Sequence, residues 1–141
     1  HTISPVRHWK DGAHGNQLSK ASLLLAGEAL QKRFPDQLRY FPSYEIVMDE
    51  LRDYRFYAED MIHTNDQTTT YIWEKFKQVL VDESSLEMIS DLEPLLKMLE
   101  HRPVSSSSES RKKMEIKLMD KLNFIKTKYP DLDLSNLPKD Y

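Results

Sequence analysis

The sequence has at most two short segments that could form β-strands, and this scarcity constrains the fold more than any other feature. Residues 2–6 (TISPV) are followed by a polar stretch containing glycine, a pattern typical of a strand that ends in a loop. Residues 38–42 (LRYFP) are the second segment. Two such segments do not make an adequate sheet. We therefore expect either a helical bundle with an extended N-terminal arm or part of a larger α/β sheet.

Apolar residues at helical spacing dominate the rest of the chain and predict four or five helices. The predicted helices cover residues 17–34, a segment after Ser43, a segment after Asn65 or Asp66, residues 85–100 and residues 109–129. The fold class is therefore mostly α, with one or two short strands.

Cap and breaker residues locate the ends of these helices. Asn16, Ser43 and either Asn65 or Asp66 are predicted N-caps, because their side chains can accept bonds from unpaired amides of a first turn. Pro35 should end the first helix, and Pro94 should kink the fourth or begin a new one.

The serine-rich tract at residues 105–108 predicts a hinge before the last helix. We divide the chain into residues 1–82, which carry the candidate site, and a helical extension over residues 83–141.

Composition argues against several classes of function. A chain of 141 residues with a net charge of −3 lacks the basic field of nucleic-acid-binding or membrane-surface proteins. The absence of cysteine excludes disulfides and thiol nucleophiles. No apolar run approaches the roughly 18 residues of a membrane span. We expect neither a nucleic-acid nor a membrane partner.

Metal and cofactor sites are also not indicated by the sequence. The five histidines show no i, i+4 or H-x-H spacing, and the three glycines form no phosphate-binding loop.

The N-terminus has no recognisable secretory signal, which slightly favours a cytoplasmic location, although the chain could lack its true N-terminus. The oligomeric state stays open.

Asp60 and His63 form a D-x-x-H pair in the stretch EDMIHTND. On a helical turn, residues three apart share a face, so the carboxylate could orient an imidazole that acts as general base. The alternative is that Asp60 pairs with Arg52 or Arg55 and His63 lies at a helix start. The chain contains no G-x-S-x-G elbow to supply a nucleophile.

A second group of polar residues follows the first strand-like segment. Arg7, His8 and Asn16, with Lys10 and His14, are residue types that bind anions or an oxyanion. The alternative is a solvated loop anchored by Trp9.

Several strings in one order resemble the C-terminal part of the bacterial GSCFA-domain family, which is similar to the SGNH (GDSL-like) hydrolases. They are SPVRHWKDG, NQLSKASLLLA, YFPSYEIVMDELRDYRFY, and EDMIHTN followed by YIWEKF. The resemblance is close over residues 2–76 and less specific at HRPV (101–104) and KYPDLD (128–133).

The resemblance implies the C-terminal part of an α/β/α flavodoxin-like fold, in which residues 2–6 are an inner parallel strand. It implies that His63 is the general base, that Asp60 orients it, and that Arg7 and His8 lie at the ligand-facing end of the strand. The family's nucleophilic serine belongs to a GSCFA motif that does not occur in this chain. Thr64 also stands where many SGNH proteins have proline.

Two functions remain in competition. The first is part of an esterase or acyl hydrolase acting on a small-molecule or glycan ester, with Asp60 and His63 as catalytic residues and with Arg7, His8 and Asn16 binding substrate. Without its serine, this chain alone should be inactive. The second is a non-catalytic helical module that binds a protein partner.

Overall fold

The computed structural model describes residues 1–100, 108–135 and 137, and the chain divides into two compact units, His1–Leu80 and Val81–Tyr141. Five α-helices account for most of the described residues, as predicted. They are α1 (Gly12–Arg33), α2 (Ser43–Glu45), α3 (Asp66–Leu80), α4 (Glu83–Glu100) and α5 (Ser108–Lys128). The assignment of the two units to a hydrolase domain and an extension stays a prediction.

The described residues contain no β-sheet, so the predicted short strands are not formed as strands. Thr2 and Phe41 instead make one isolated parallel bridge, and the Phe41 amide donates to the carbonyl of His1 at 2.8 Å. A second isolated bridge, antiparallel, joins Tyr57 to Thr64. The two strand-like segments therefore meet, but within the described residues they have no further neighbour with which to build a ladder.

Helix α1 begins earlier than the sequence predicts. It starts at Gly12, so Asn16 lies inside its first turns and the prediction that Asn16 is the N-cap is wrong. Asp11 occupies the cap position and its side chain makes no capping bond. The helix ends at Arg33, just before the Phe34-Pro35 pair, where the sequence placed its end.

The same helix exposes most of its apolar stripe. Only Lys20 and Gly27 are buried in α1. Leu18, Leu25 and Leu30 are 57%, 73% and 48% exposed. The helix predicted from this stripe is confirmed, but the stripe is not packed against the described residues.

The core of the first unit lies beside α2, under the N-terminal arm. Ile3, Phe41, Ile46 and Val47 are buried there. Ser43 begins α2 instead of capping it, because its hydroxyl is used elsewhere and donates to the carbonyl of Ile3 at 2.9 Å. This bond ties the arm to α2.

Helix α2 continues directly into a π-helix over Ile46–Leu51. The amide of Arg52 closes it by donating to the carbonyl of Val47 at 3.0 Å, and Arg52 then turns into a left-handed conformation (φ 48°). A π-helix has i→i+5 hydrogen bonds and is therefore wider than an α-helix, and it often lies at a functional site.

Helix α3 begins as predicted, with Asn65 as its cap. The Oδ1 atom of Asn65 accepts the amide of Thr68 at 3.0 Å, and its Nδ2 donates to the carbonyl of Arg55 at 2.6 Å. Thr68 is fully buried and donates its hydroxyl to the carbonyl of Phe56 at 2.7 Å. These bonds fix the loop of residues 53–65 against the start of α3.

In the second unit, α4 and α5 pack around Leu95, Leu118 and Ile125. Asp82 caps α4 by accepting the amide of Ser85 at 3.0 Å, and the helix runs through Pro94 without a new start. The predicted hinge at 105–108 lies outside the described residues except for Ser108, where α5 begins. None of the helices described here has the length and hydrophobicity to cross a membrane.

Candidate functional site

Asp60 and His63 lie together in a compact loop rather than on a helix. The Oδ1 atom of Asp60 accepts the amides of Ile62 at 2.8 Å and of His63 at 3.0 Å. Met61 takes a left-handed conformation (φ 57°), which reverses the chain between the pair. The amide of Ala58 donates to the carbonyl of His63 at 2.8 Å and closes the loop. The Asp60 carboxylate therefore stabilises the turn in which its hydrogen-bond partner, His63, lies.

The side chains of the pair are in direct contact. The Oδ2 atom of Asp60 lies 2.6 Å from Nδ1 of His63. The hydrogen bond from the His63 side chain, followed by those from the His63 and Ile62 amides, lowers the pKa of Asp60 to about 2. A carboxylate that accepts a hydrogen bond from Nδ1–H leaves Nε2 as the basic nitrogen. Such an imidazole can remove a proton from a hydroxyl group.

The alternative pairing of Asp60 with Arg52 or Arg55 is not formed. Arg55 lies 3.7 Å from the carboxylate of Asp53 instead. The His63 and Asp60 side chains remain 64% and 46% exposed. The imidazole is therefore accessible to a reacting group.

A pocket of about 280 Å³ lies between the N-terminal loop and the first turns of α1. Arg7, His8 and Asn16, the three residues predicted to bind substrate, all line it. The amide of His8 donates to Oδ1 of Asn16 at 2.8 Å, which closes the loop onto the helix. The Nδ1 atom of His8 lies 2.9 Å from the carboxylate of Asp11.

Arg7 joins the pocket to the Asp60–His63 loop. Its amide donates to the carbonyl of Ile62 at 3.2 Å, one residue before His63. Its guanidinium lies over two aromatic rings, 4.3 Å from the centroid of Tyr57 and 5.1 Å from that of Tyr54. Asp60 and His63 themselves do not line the pocket. One backbone hydrogen bond, from Arg7 to Ile62, thus joins the predicted substrate-binding residues to the loop of Asp60 and His63. The pair itself lies outside the pocket.

Sequence reasoning missed several residues of the pocket wall. Lys20 is 8% exposed, and its Nζ donates to the carbonyl of Ser4 at 2.6 Å. Burial lowers the pKa of Lys20. The spacing of Asn16 and Lys20, four residues apart on one helical face, was the available signal. The other missed residues are Pro5, Trp9, Gly12, Ala13, Gln17, Tyr44, Met48 and Tyr54.

Tyr57 carries a hydroxyl group without a partner. The ring is 8% exposed, and the buried hydroxyl makes no hydrogen bond to the described residues. Buried hydroxyl groups are nearly always hydrogen-bonded, so this atom is an exception among the buried side-chain atoms that the structure describes. Among the residues that the structure describes, no three acidic or histidine side chains converge as a metal site would require.

Comparison with known proteins gives one match. The model of the GSCFA family matches residues 1–76, a range that holds the whole pocket lining and both members of the Asp60–His63 pair. No curated protein and no solved structure is significantly similar to the chain. Because the match covers more than half of the 141 residues, the chain belongs to the GSCFA family.

Proposed function

We propose that this chain supplies the general base and its orienting carboxylate to a serine-dependent ester hydrolase of the SGNH type. The observation that carries the proposal is the 2.6 Å contact between Oδ2 of Asp60 and Nδ1 of His63. In Ser-His-Asp hydrolases this contact fixes the imidazole tautomer, so that Nε2 takes the serine proton and the carboxylate stabilises the imidazolium that forms. His63 is the base, and Asp60 positions it.

The serine belongs to another segment of the same protein. This segment packs on the first unit and covers it. Three features of that unit support a missing neighbour. Among the described residues, the buried Tyr57 hydroxyl has no hydrogen-bond partner and residues 2–6 form one bridge without a sheet. The leucines of α1 are exposed. In an α/β/α domain the same segment would be an inner strand and α1 would pack on the sheet. The covering segment would also reduce the exposure of the Asp60–His63 pair.

Substrate binding falls to the pocket of Arg7, His8 and Asn16. Its lining combines cationic and amide groups with aromatic side chains. A backbone hydrogen bond from Arg7 to Ile62 joins the pocket to the loop that holds His63. A pocket of about 280 Å³ is at the small end of the usual range for ligand sites, which favours a short acyl group over a long chain.

Turnover of short p-nitrophenyl esters by the whole protein, with its serine-bearing segment present, tests this function. His63→Ala should reduce kcat by about 10⁴-fold, because the serine then has no base. His14→Ala is the matched control, since His14 is an exposed histidine of α1 outside the pair. If His63→Ala hydrolyses the esters as fast as the unmodified protein, the role assigned to His63 is wrong. If the unmodified protein does not hydrolyse them at all, the helical protein-binding module becomes the better hypothesis.

A further inference from the structure

The pocket carries positive charge that no acidic residue of its lining balances. Arg7 and Lys20 line it, and its other residues are neutral apart from the titratable His8, which already faces Asp11. Within the described part of the chain, neither Arg7 nor Lys20 forms an ion pair. This is unusual for Lys20, because a lysine that is only 8% exposed normally has an anionic partner.

The contacts of Lys20 leave part of its hydrogen-bonding capacity free. An ammonium group has three donors, and one of them is used by the carbonyl of Ser4 at 2.6 Å. The ring of Tyr44, whose centroid is 5.8 Å from Nζ, gives only weak cation–π stabilisation. The side chain lies at the pocket wall, so the free donors can reach a bound ligand.

Arg7 can contribute to the same ligand. Its guanidinium covers the face of Tyr57 and approaches that of Tyr54, and an arginine stacked on aromatic rings keeps donors at its edge. These donors match the two oxygens of a carboxylate. Trp9, Tyr44 and Tyr54 supply apolar walls around this charged end.

We propose that the pocket binds an oxyanion attached to a small apolar or aromatic group, with Lys20 and Arg7 as its counter-ions. If the proposed hydrolase function holds, the substrate is then a half-ester in which the acyl group ends in a carboxylate. That second statement rests on the proposed function, whereas anion binding by the pocket does not.

Binding to the full 141-residue chain tests the pocket without any turnover. The chain has two tryptophans, so a Trp73→Phe background leaves Trp9, which lines the pocket, as the reporter. Benzoate should change the Trp9 emission saturably and bind about tenfold or more tightly than benzamide, its neutral counterpart of similar shape. Equal affinities for the two ligands, or no saturable effect of benzoate, would overturn the proposal.

Two variants test whether the ammonium group of Lys20 is a counter-ion of the bound anion. Lys20→Met should weaken benzoate binding about tenfold more than it weakens benzamide binding. Lys32→Met is the matched control, because Lys32 is an exposed lysine of α1 that pairs with Glu28. Benzoate binding that survives Lys20→Met intact would contradict the role of Lys20. If Lys20→Met does not fold, the comparison of benzoate with benzamide in the chain that retains Lys20 still decides the proposal.

Kinetics then separate this inference from the hydrolase assignment. In the whole protein, Lys20→Met should raise KM for the p-nitrophenyl half-ester of succinate about tenfold more than it raises KM for the p-nitrophenyl ester of butyrate. Equal effects on both esters would refute a charge-specific role in catalysis. A protein that binds benzoate but hydrolyses neither ester would overturn only the hydrolase proposal.

Discussion

Asp60 holds His63 through both of its carboxylate oxygens: Oδ1 accepts the His63 amide at 3.0 Å, and Oδ2 lies 2.6 Å from Nδ1 of the ring. One side chain therefore sets the backbone conformation of the histidine and the direction of its imidazole. The arrangement requires the left-handed Met61 between them. A change at Asp60 should consequently affect both the loop and the base.

The pKa of Asp60 gives a direct measure of this contact. It lies at about 2, against about 3.9 for a free aspartate, so Asp60 should stay ionised when most carboxylates titrate. A lowered pKa in the folded state stabilises the fold above the unfolded pKa. We expect this contribution to fade as the pH falls from about 4 to about 2. Carbon-detected NMR titration of the side-chain carboxyl groups measures the value.

The variant His63→Gln should raise the pKa of Asp60, because the largest cause of its lowering is removed while the backbone bonds remain. Asp133 provides an internal control, since its pKa is lowered by bonds from Ser135 alone and should not change. An unchanged Asp60 titration in His63→Gln would mean that the side-chain contact is not formed in solution.

Asp60→Asn should impair catalysis more than folding. The amide keeps an oxygen for the two backbone donors, but it cannot accept from Nδ1 and also stabilise an imidazolium. In the whole protein we expect kcat to fall by about 10⁴-fold, as loss of the orienting carboxylate does in related chemistry. Asp53→Asn is a matched control in the same loop, because Oδ1 of Asp53 also accepts a backbone amide, that of Arg55, at 2.9 Å. Equal losses in both variants would point to loop disruption instead of a role for Asp60.

Asn65 should contribute measurably to the stability of the first unit. Asn65→Ala removes the cap of α3 and a bond to the carbonyl of Arg55, and we expect a loss of about 1 to 3 kcal/mol. Thr70→Ala, at an exposed position of the same helix, should change stability by less than about 0.5 kcal/mol. Both tryptophans lie in this unit, so urea unfolding followed by their fluorescence reports it alone. An Asn65→Ala midpoint equal to that of Thr70→Ala would exclude the capping role.

Leu95 should be the most sensitive position of the second unit. It is fully buried against Leu118 and Ile125, so Leu95→Ala should leave a cavity and cost about 2 to 5 kcal/mol. Its neighbour Leu96 is 42% exposed, and Leu96→Ala should have a much smaller effect. Hydrogen exchange of α4 and α5 measures the difference in this unit. Similar exchange in the two variants would contradict the packing described.

Local chemistry made some elements predictable. Asn65 precedes a run of apolar residues at helical spacing. Its bond to the Arg55 carbonyl uses Nδ2 and leaves Oδ1 for the cap, so the start of α3 was predicted correctly. Asn16 and Ser43 have the same capping potential, but tertiary contacts use their side chains: Asn16 accepts from His8, and Ser43 donates to Ile3. A pattern within one segment cannot show such long-range competition.

The candidate site was predictable in part for the same reason. The grouping of Arg7, His8 and Asn16 was visible because they are close in sequence. Lys20 was not, because a lysine in an amphipathic helix is expected to reach solvent, and only the folded arm with its Ser4 carbonyl accounts for its burial. The spacing of Asp60 and His63 fits both a helical turn and the observed loop, so sequence could give the pair but not its geometry.

The π-helix at Ile46–Leu51 makes the pocket sensitive to chain length. Met48, which lines the pocket, lies within this wide turn. Deleting one residue here would restore ordinary helical pitch and rotate the following side chains by about 100°. A single-codon deletion would thus replace one wall of the pocket without changing any residue that carries charge. A change in the length of this segment would therefore alter the ligand preference of the pocket without substituting Asp60 or His63.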